Sequence, residues 1–220
     1  MRILLANHAP FDAPEAGPQT RELADRWREV GERARCLIVD RGDGGQDGLD
    51  VQRVRCRPDD PRADLPFDVP CLTNHAEGGP TFSDLTDHQV ARYRDALRRA
   101  LDTEIAGFNP HVIHVQHIWL TAHLALEAGV PYVLTAYGPE LAAYQADPRF
   151  RRFADEAAEN AGRIVAASDA VRRQVIATFG YLDGRIVQPP ASEPKPVGLN
   201  FLRTLYHAVL IERFGAVPDI

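Results

Sequence analysis

The sequence predicts an α/β fold: a doubly wound, mainly parallel sheet with helices on both faces, Rossmann-like and in a single domain, plus a C-terminal docking helix. Three observations carry this. Short β-type runs alternate with longer segments of helical period; the runs are apolar throughout, so both faces of the sheet need cover; and helices rather than tight turns separate them, which selects parallel pairing with right-handed crossovers. The 220 residues, 45% hydrophobic and 25% charged, are enough for one large core.

The elements follow in order. Ile3 to Ala6 reads as a strand, Gln19 to Val30 as a helix and Ala34 to Val39 as a strand, each bounded by Gly, Pro or Asp. Val51 to Cys56 fits a third strand inside a stretch, Asp43 to Pro80, whose Gly, Pro and Asp content makes it mostly loop or edge. Asp84-Leu85-Thr86-Asp87 supplies capping chemistry for a helix with Val90, Tyr93, Leu97 and Leu101 on one face, ending near Gly107. After Asn109-Pro110 come strand Val112 to Val115, helix Trp119 to Ala128 with Gly129 as its C-cap, and strand Pro131 to Thr135. A helix from Pro148 to Asn160, strand Arg163 to Ala167, helix Ser168 to Phe179 and a last strand Arg185 to Gln188 complete the domain, 1–188. Four prolines between Gln188 and Pro196 forbid helix and central strand, so 189–198 reads as a linker. Beyond it Leu199, Leu202, Leu205, Tyr206, Val209 and Leu210 form a helical stripe to Gly215 that must pack back on the domain.

Charge and cysteines exclude several classes. The net charge is −6 and the basic residues are scattered among acidic ones, which argues against nucleic acid as a partner. No apolar run approaches the ~20 residues of a membrane-spanning helix, and the opening residues run straight into a strand without an export signal, so a cytoplasmic location is expected. Cys36, Cys56 and Cys71 are odd in number and form no C-x-x-C pair, against a disulfide framework or a zinc site.

In doubly wound sheets ligands bind beyond the carboxyl ends of the strands. That rule selects four loops: Asn7 to Gly17, His114 to Trp119, Thr135 to Glu140, and Ser168 with its neighbours. The first opens a helix whose amides and dipole suit an anion or a polyol oxygen, yet it lacks both G-x-G-x-x-G and a P-loop lysine; equally, Gly17 can simply permit the turn and Pro18 preset the first helical residue. His114, Gln116 and His117, with His111 and His123 nearby, gather imidazoles around one edge. Alternation sends His114 and Gln116 to one face, and with no Asp or Glu between Pro110 and Leu126 a metal shell is not expected. The same histidines also fit a bland reading as hydrogen-bonded core and surface residues. Thr135, Tyr137 and Glu140 around Gly138 suit hydrogen bonding to a sugar or similar polyol, or form a plain turn. Ser168 reads as an N-cap, since no G-x-S-x-G elbow surrounds it.

The string Phe108-Asn109-Pro110-His111-Val112-Ile113-His114-Val115-Gln116-His117, followed by Gly129-Val130-Pro131 and Thr135-Ala136-Tyr137-Gly138-Pro139-Glu140, resembles the amino-terminal domain of family 4 retaining glycosyltransferases of the two-domain GT-B fold. There the corresponding text runs P-D-V-I-H-x-H and G-I-P-x-V-x-T-x-H-G. Gly17 before a helix, Gly31 at its end and Arg163-Ile164-Val165-Ala166-Ala167-Ser168 support the match in order, over Met1 to about Pro190. The resemblance implies a domain that binds the acceptor, with a nucleotide sugar bound by a second domain in the complete enzyme and no cofactor bound by this chain. That second domain carries a Glu, seven residues, then Glu, a pattern absent here. The resemblance assigns acceptor contacts to Gly17, Gln19, His114, Gln116, His117, Tyr137, Gly138 and Glu140, with His114 and His117 as catalytic candidates. Two positions depart from the family: Gln116 stands where a second His is usual, and Tyr137 where His precedes the glycine.

Three functions therefore compete: the acceptor-binding half of a sugar transferase, which needs a donor-domain protein in cis or as a partner; a non-catalytic binder of a polyol, glycoside or natural product derived from one; and an interaction module that dimerises through an exposed cleft face carrying Trp119, Tyr137 and Tyr144.

Overall fold

The computed structural model describes residues 1–14, 16–42, 48–73, 79–189 and 198–217. Seven strands form one all-parallel sheet: β1 (Arg2–Ala6), β2 (Arg33–Asp40), β3 (Val51–Arg55), β4 (Val112–Gln116), β5 (Tyr132–Ala136), β6 (Arg163–Ala166) and β7 (Ile186–Val187), in the spatial order β3-β2-β1-β4-β5-β6-β7. The helices are α1 (Gly17–Glu29), α2 (Asp87–Phe108), α3 (Leu120–Glu127), α4 (Pro139–Ala146), α5 (Arg151–Asn160), α6 (Asp169–Thr178) and α7 (Leu199–Phe214). The chain leaves β1 toward β2 and leaves β4 toward β5, so the order reverses between β1 and β4, the kind of place where open α/β sheets receive their ligands.

Each sheet face has its own core. On one, Leu4, Leu37, Ile113, Val115, Leu134 and Ile164 pack under α2, α3, α4, α5 and α6. α3 is apolar nearly all round, as a helix enclosed by neighbours must be. On the other, Ile3, Leu5, Val112, Val133 and Val165 pack under α1 and α7 alone, with the Trp27 and Tyr206 rings 5.5 Å apart. α7 buries Leu202, Leu205, Val209 and Leu210 there, at roughly 1.5–3 kcal/mol each. It runs across the strands: Arg203 reaches Glu32 before β2, Tyr206 reaches β4, and Glu212 reaches Arg163 in β6. Gly162 is the residue that lets it come close, since a Cβ there would stand 2.7 Å from both methyl carbons of Val209.

Several elements differ from the sequence reading, for local reasons. α4 was not expected; Pro139 at its first turn and the Glu140 carboxylate, which accepts from the amides of Tyr137 and Gly138, start a helix where a turn was one of two readings. Asp147 ends it, because a residue before proline is pushed out of the helical region, and the helix expected from Pro148 becomes a 3₁₀ turn, Pro148–Phe150, followed by α5. Thr86 is the N-cap of α2, in a capping box with Gln89, while Asp84 closes its own 3₁₀ turn with Thr81. α2 ends one residue later than expected, at Phe108, with Asn109 in the left-handed conformation. Trp119 and Ala128 cap α3 rather than belonging to it. Cys56 leaves β3 to bridge Leu65, and Arg185 belongs to a 3₁₀ turn, so β7 is only two residues long. Ser168 caps α6, its hydroxyl accepting from Val171 N–H at 3.2 Å. Residues 43–47 and 74–78 of the expected loop region, and 190–197 of the expected linker, lie outside the described residues. Among the described residues no helix is long and apolar enough to cross a membrane.

Candidate functional site

Three strand tips converge at the reversal. β1 ends in Asn7 and His8, β4 in Gln116 and His117, and β5 in Tyr137, Gly138 and Glu140. The β1–β4 register pairs Ala6 with Val115, which sets Asn7 beside Gln116, and Asn7 is held from the α1 side by Nδ2 donating to Thr20 Oγ1 at 3.0 Å. Gln116 is fully buried; the Tyr137 hydroxyl donates to its Oε1 at 2.7 Å, and its Nε2 has no partner among the described residues. Burial and the neighbouring Glu140 push the Tyr137 phenol further above neutrality.

His117 and Glu140 form a second unit. The His117 Nδ1–H donates to Glu140 Oε2 at 3.0 Å, with both side chains fully buried. Burial works against the Glu140 carboxylate, but the His117 ring and the backbone amides outweigh it and hold the carboxyl below its usual range. The Glu140 contact fixes which ring nitrogen faces the carboxylate and so orients the imidazole. The His117 ring lies 4.8 Å from that of His8 and 5.1 Å from that of Tyr137, and its backbone takes φ 73°, a left-handed value uncommon outside Gly and Asn.

The other histidines do not share this edge. His111 sits at the opposite end of β4, where its Nδ1 accepts from Arg2 N–H; five residues of strand, about 17 Å, separate it from the tips. His123 lies on α3 between Arg94, Glu127 and Glu156, tying three helices together. His114 shares the Gln116 face, as alternation requires, but is sealed beneath α7: Tyr206 Oη lies 2.6 Å from Nδ1 and Thr135 Oγ1 2.6 Å from Nε2. Burial drops its pKa to about 3, so it is neutral near pH 7.

Gly17 is explained by packing, because a Cβ there would lie 2.2 Å from Pro10 O. Its N–H donates to Ala13 O and that of Ala16 to Pro14 O, so two of the amides expected to face a ligand are used inside the loop. Gln19, half-buried in the same turn, has an Oε1 without a partner among the described residues. The patch expected around Trp119 does not form: Trp119 is interior, against Phe150 and Phe82, and Tyr144 is half-buried and donates to Asp155. His8 and Tyr206 were missed by sequence reasoning. The strand-tip rule reaches His8, the second residue after β1, whereas Tyr206 is indistinguishable from its apolar stripe. Two surface grooves, about 380 and 270 Å³, lie at the amino ends of the strands, lined by residues such as Gly129, Arg163 and Val209, and Arg28, Arg33 and Phe108. Among the described residues no cluster of His, Cys, Asp and Glu fits a metal ion.

The glycosyl transferase 4-like domain matches residues 15–191, from the start of α1 through β7 and across the β4 and β5 tips. The chain belongs to that family. Among solved structures, sucrose-phosphate synthase from Thermosynechococcus elongatus superposes with a TM-score of 0.59 at 12% identity, over 86% of this chain and 48% of that one. A shorter form of the synthase, labelled with the ranges 27–220 and 406–426, gives 0.55 at 11% identity over 93% of this chain and 95% of its own. The lipopolysaccharide outer core galactosyltransferase WaaB in its apo form gives 0.53 at 10%, over 89% and 47%. At such identities the likeness is one of fold, the Rossmann-like lobe of GT-B proteins. The chain spans about half the length of the full synthase and of the galactosyltransferase. No curated protein matches it.

Proposed function

We propose that this member of the glycosyl transferase 4-like family is the acceptor-binding lobe of a retaining GT-B sugar transferase, and that it transfers sugar only with a nucleotide-sugar-binding lobe, in cis or as a partner chain. The observation that carries the reading is the meeting of the Gln116–Tyr137 and His117–Glu140 pairs at the β1/β4 reversal, where an open α/β sheet receives its ligand. The similarity over 95% of a synthase form labelled with two separate ranges supports α7 as the counterpart of a segment returning from beyond a second lobe.

Within this reading the two histidine candidates part. His117 has a carboxylate that orients its ring at the strand tips, which suits an imidazole that positions a substrate hydroxyl. His114 is enclosed by hydroxyls, and its role is to hold α7 on the sheet. A second reading, a non-catalytic binder of a polyol or glycoside, is favoured by Gln116 and Tyr137 themselves, neither of which exchanges a proton near neutral pH.

Supplying the chain with a separately expressed glycosyltransferase donor lobe and a nucleotide sugar tests both. Transfer to a hydroxyl acceptor, lost on His117→Ala, supports the transferase reading, and acceptor binding without transfer supports the second. Turnover of a nucleotide sugar by this chain alone sinks both.

A further inference from the structure

The tips of β1, β4 and β5 hold a buried donor with no partner among the described residues. Gln116 is fully buried, and Tyr137 occupies its Oε1, so the orphaned Nε2 is fixed in place rather than free to turn away. Buried amide donors are costly to leave unmade, and the few that persist in native proteins call for an explanation. The matching acceptor is nearby in the fold. Gln19 occupies the first turn of α1 with a buried Oε1 that has no partner among the described residues. Its neighbour Thr20 is bonded to Asn7, the residue beside Gln116 across the β1–β4 pair. On either side of the Asn7–Thr20 contact the fold therefore holds one unmet N–H donor and one unmet carbonyl acceptor, the complement of a hydroxyl, which accepts one hydrogen bond and donates another.

The surroundings select the charge of what arrives. Asn7, Thr20, Gln116 and Tyr137 are uncharged, and the ionised group at these tips, Glu140, is an anion whose bonds go to His117 and to the amides of Tyr137 and Gly138. Two of the amides at the start of α1 that an anion would need are already used by the Ala13 and Pro14 carbonyls. A phosphate or carboxylate at these tips would meet the Glu140 carboxylate in a buried setting.

We infer that Gln116 Nε2 and Gln19 Oε1 form a recognition pair for a hydroxyl of an uncharged polyol, so that the part of the acceptor entering between β1 and β4 carries neither phosphate nor carboxylate. The inference rests on the acceptor-lobe reading and narrows its substrate class.

Side-chain amide signals of the ¹⁵N-labelled chain, assigned by Gln116→Met and Gln19→Leu, test it in titrations with glucose, myo-inositol, glucose 6-phosphate and glucuronate. The Gln116 and Gln19 signals are expected to shift and saturate with a neutral probe, with at least tenfold weaker binding of the charged ones. Gln19→Leu, on a half-exposed side chain, should weaken the neutral probe at least fivefold without lowering the melting temperature. Equal or tighter binding of the anions, or saturable shifts confined to other residues, overturns the neutral pair and leaves the acceptor lobe standing. No shift with any of the four probes overturns both.

Discussion

His114 and His117 stand three residues apart on one strand and its exit, both fully buried, and they are built for opposite ends. His114 meets two hydroxyls, Tyr206 and Thr135, each able to donate or accept, so a neutral imidazole is satisfied in either tautomer. His117 meets an ionised carboxylate whose remaining bonds go to the backbone at the start of α4. The contrast teaches that residue type and burial do not fix the chemistry of a histidine; the partner does, and the partner comes from whichever element crosses the tip or the face at that point. The first arrangement fastens a helix to a sheet, and the second orients an imidazole where a ligand can enter.

Removing the charge on the His117 side should have the largest effect. Glu140→Leu strands the His117 N–H and the amides of Tyr137 and Gly138 together, and about 3–5 kcal/mol of stability should be lost, read as a fall in the urea midpoint. On the His114 side, Tyr206→Phe leaves an imidazole nitrogen without its hydroxyl and should cost about 1–3 kcal/mol, with α7 amides exchanging faster than those of α3. Gly162→Ala attacks the same helix sterically through Val209 and should cost about 1–3 kcal/mol; adding Val209→Ala should make the paired loss smaller than the sum of the two single losses, because the clash is then gone. The mildest test is pH. Between its ordinary value near 6.5 and its folded value of about 3, His114 binds a proton in the unfolded chain but not in the folded one, so stability should fall as pH drops, by about 1 kcal/mol per unit at most. Glu140 is shifted in the same direction from a lower starting point, and its contribution, present above the ordinary carboxylate value, is lost only as pH falls through its depressed folded value. Melting curves of His114→Gln that still decline from pH 6.5 to 5 as steeply as the parent would sink the assignment of that first decline to His114.

The strands were legible because Ile3 to Ala6, Val112 to Val115 and Arg163 to Ala166 are short apolar runs between breakers, and because a parallel sheet needs such runs. α4 was not legible in the same way: its start depends on a glutamate side chain turning back to two amides, which hydrophobic period does not record. The site divides along the same line. Gln116, His117, Tyr137 and Glu140 were reachable from the strand-tip rule together with a family resemblance, yet which of them pair was not, since the partners lie 21 to 23 residues apart in sequence. The separation of His111 and His123 from the tips needed only the length of a strand, while the enclosure of His114 needed a residue 92 positions away.

That last span has a kinetic side. The sheet face under α7 stays open until the end of the chain returns to it, and Tyr206 and Arg203 close loops of 92 and 171 residues when they reach His114 and Glu32. Closing loops of that size spends chain entropy before any packing rewards it. The other face, roofed by helices that follow their own strands, can assemble from near neighbours, so the order in which the two faces become protected from solvent is written into the route of the backbone.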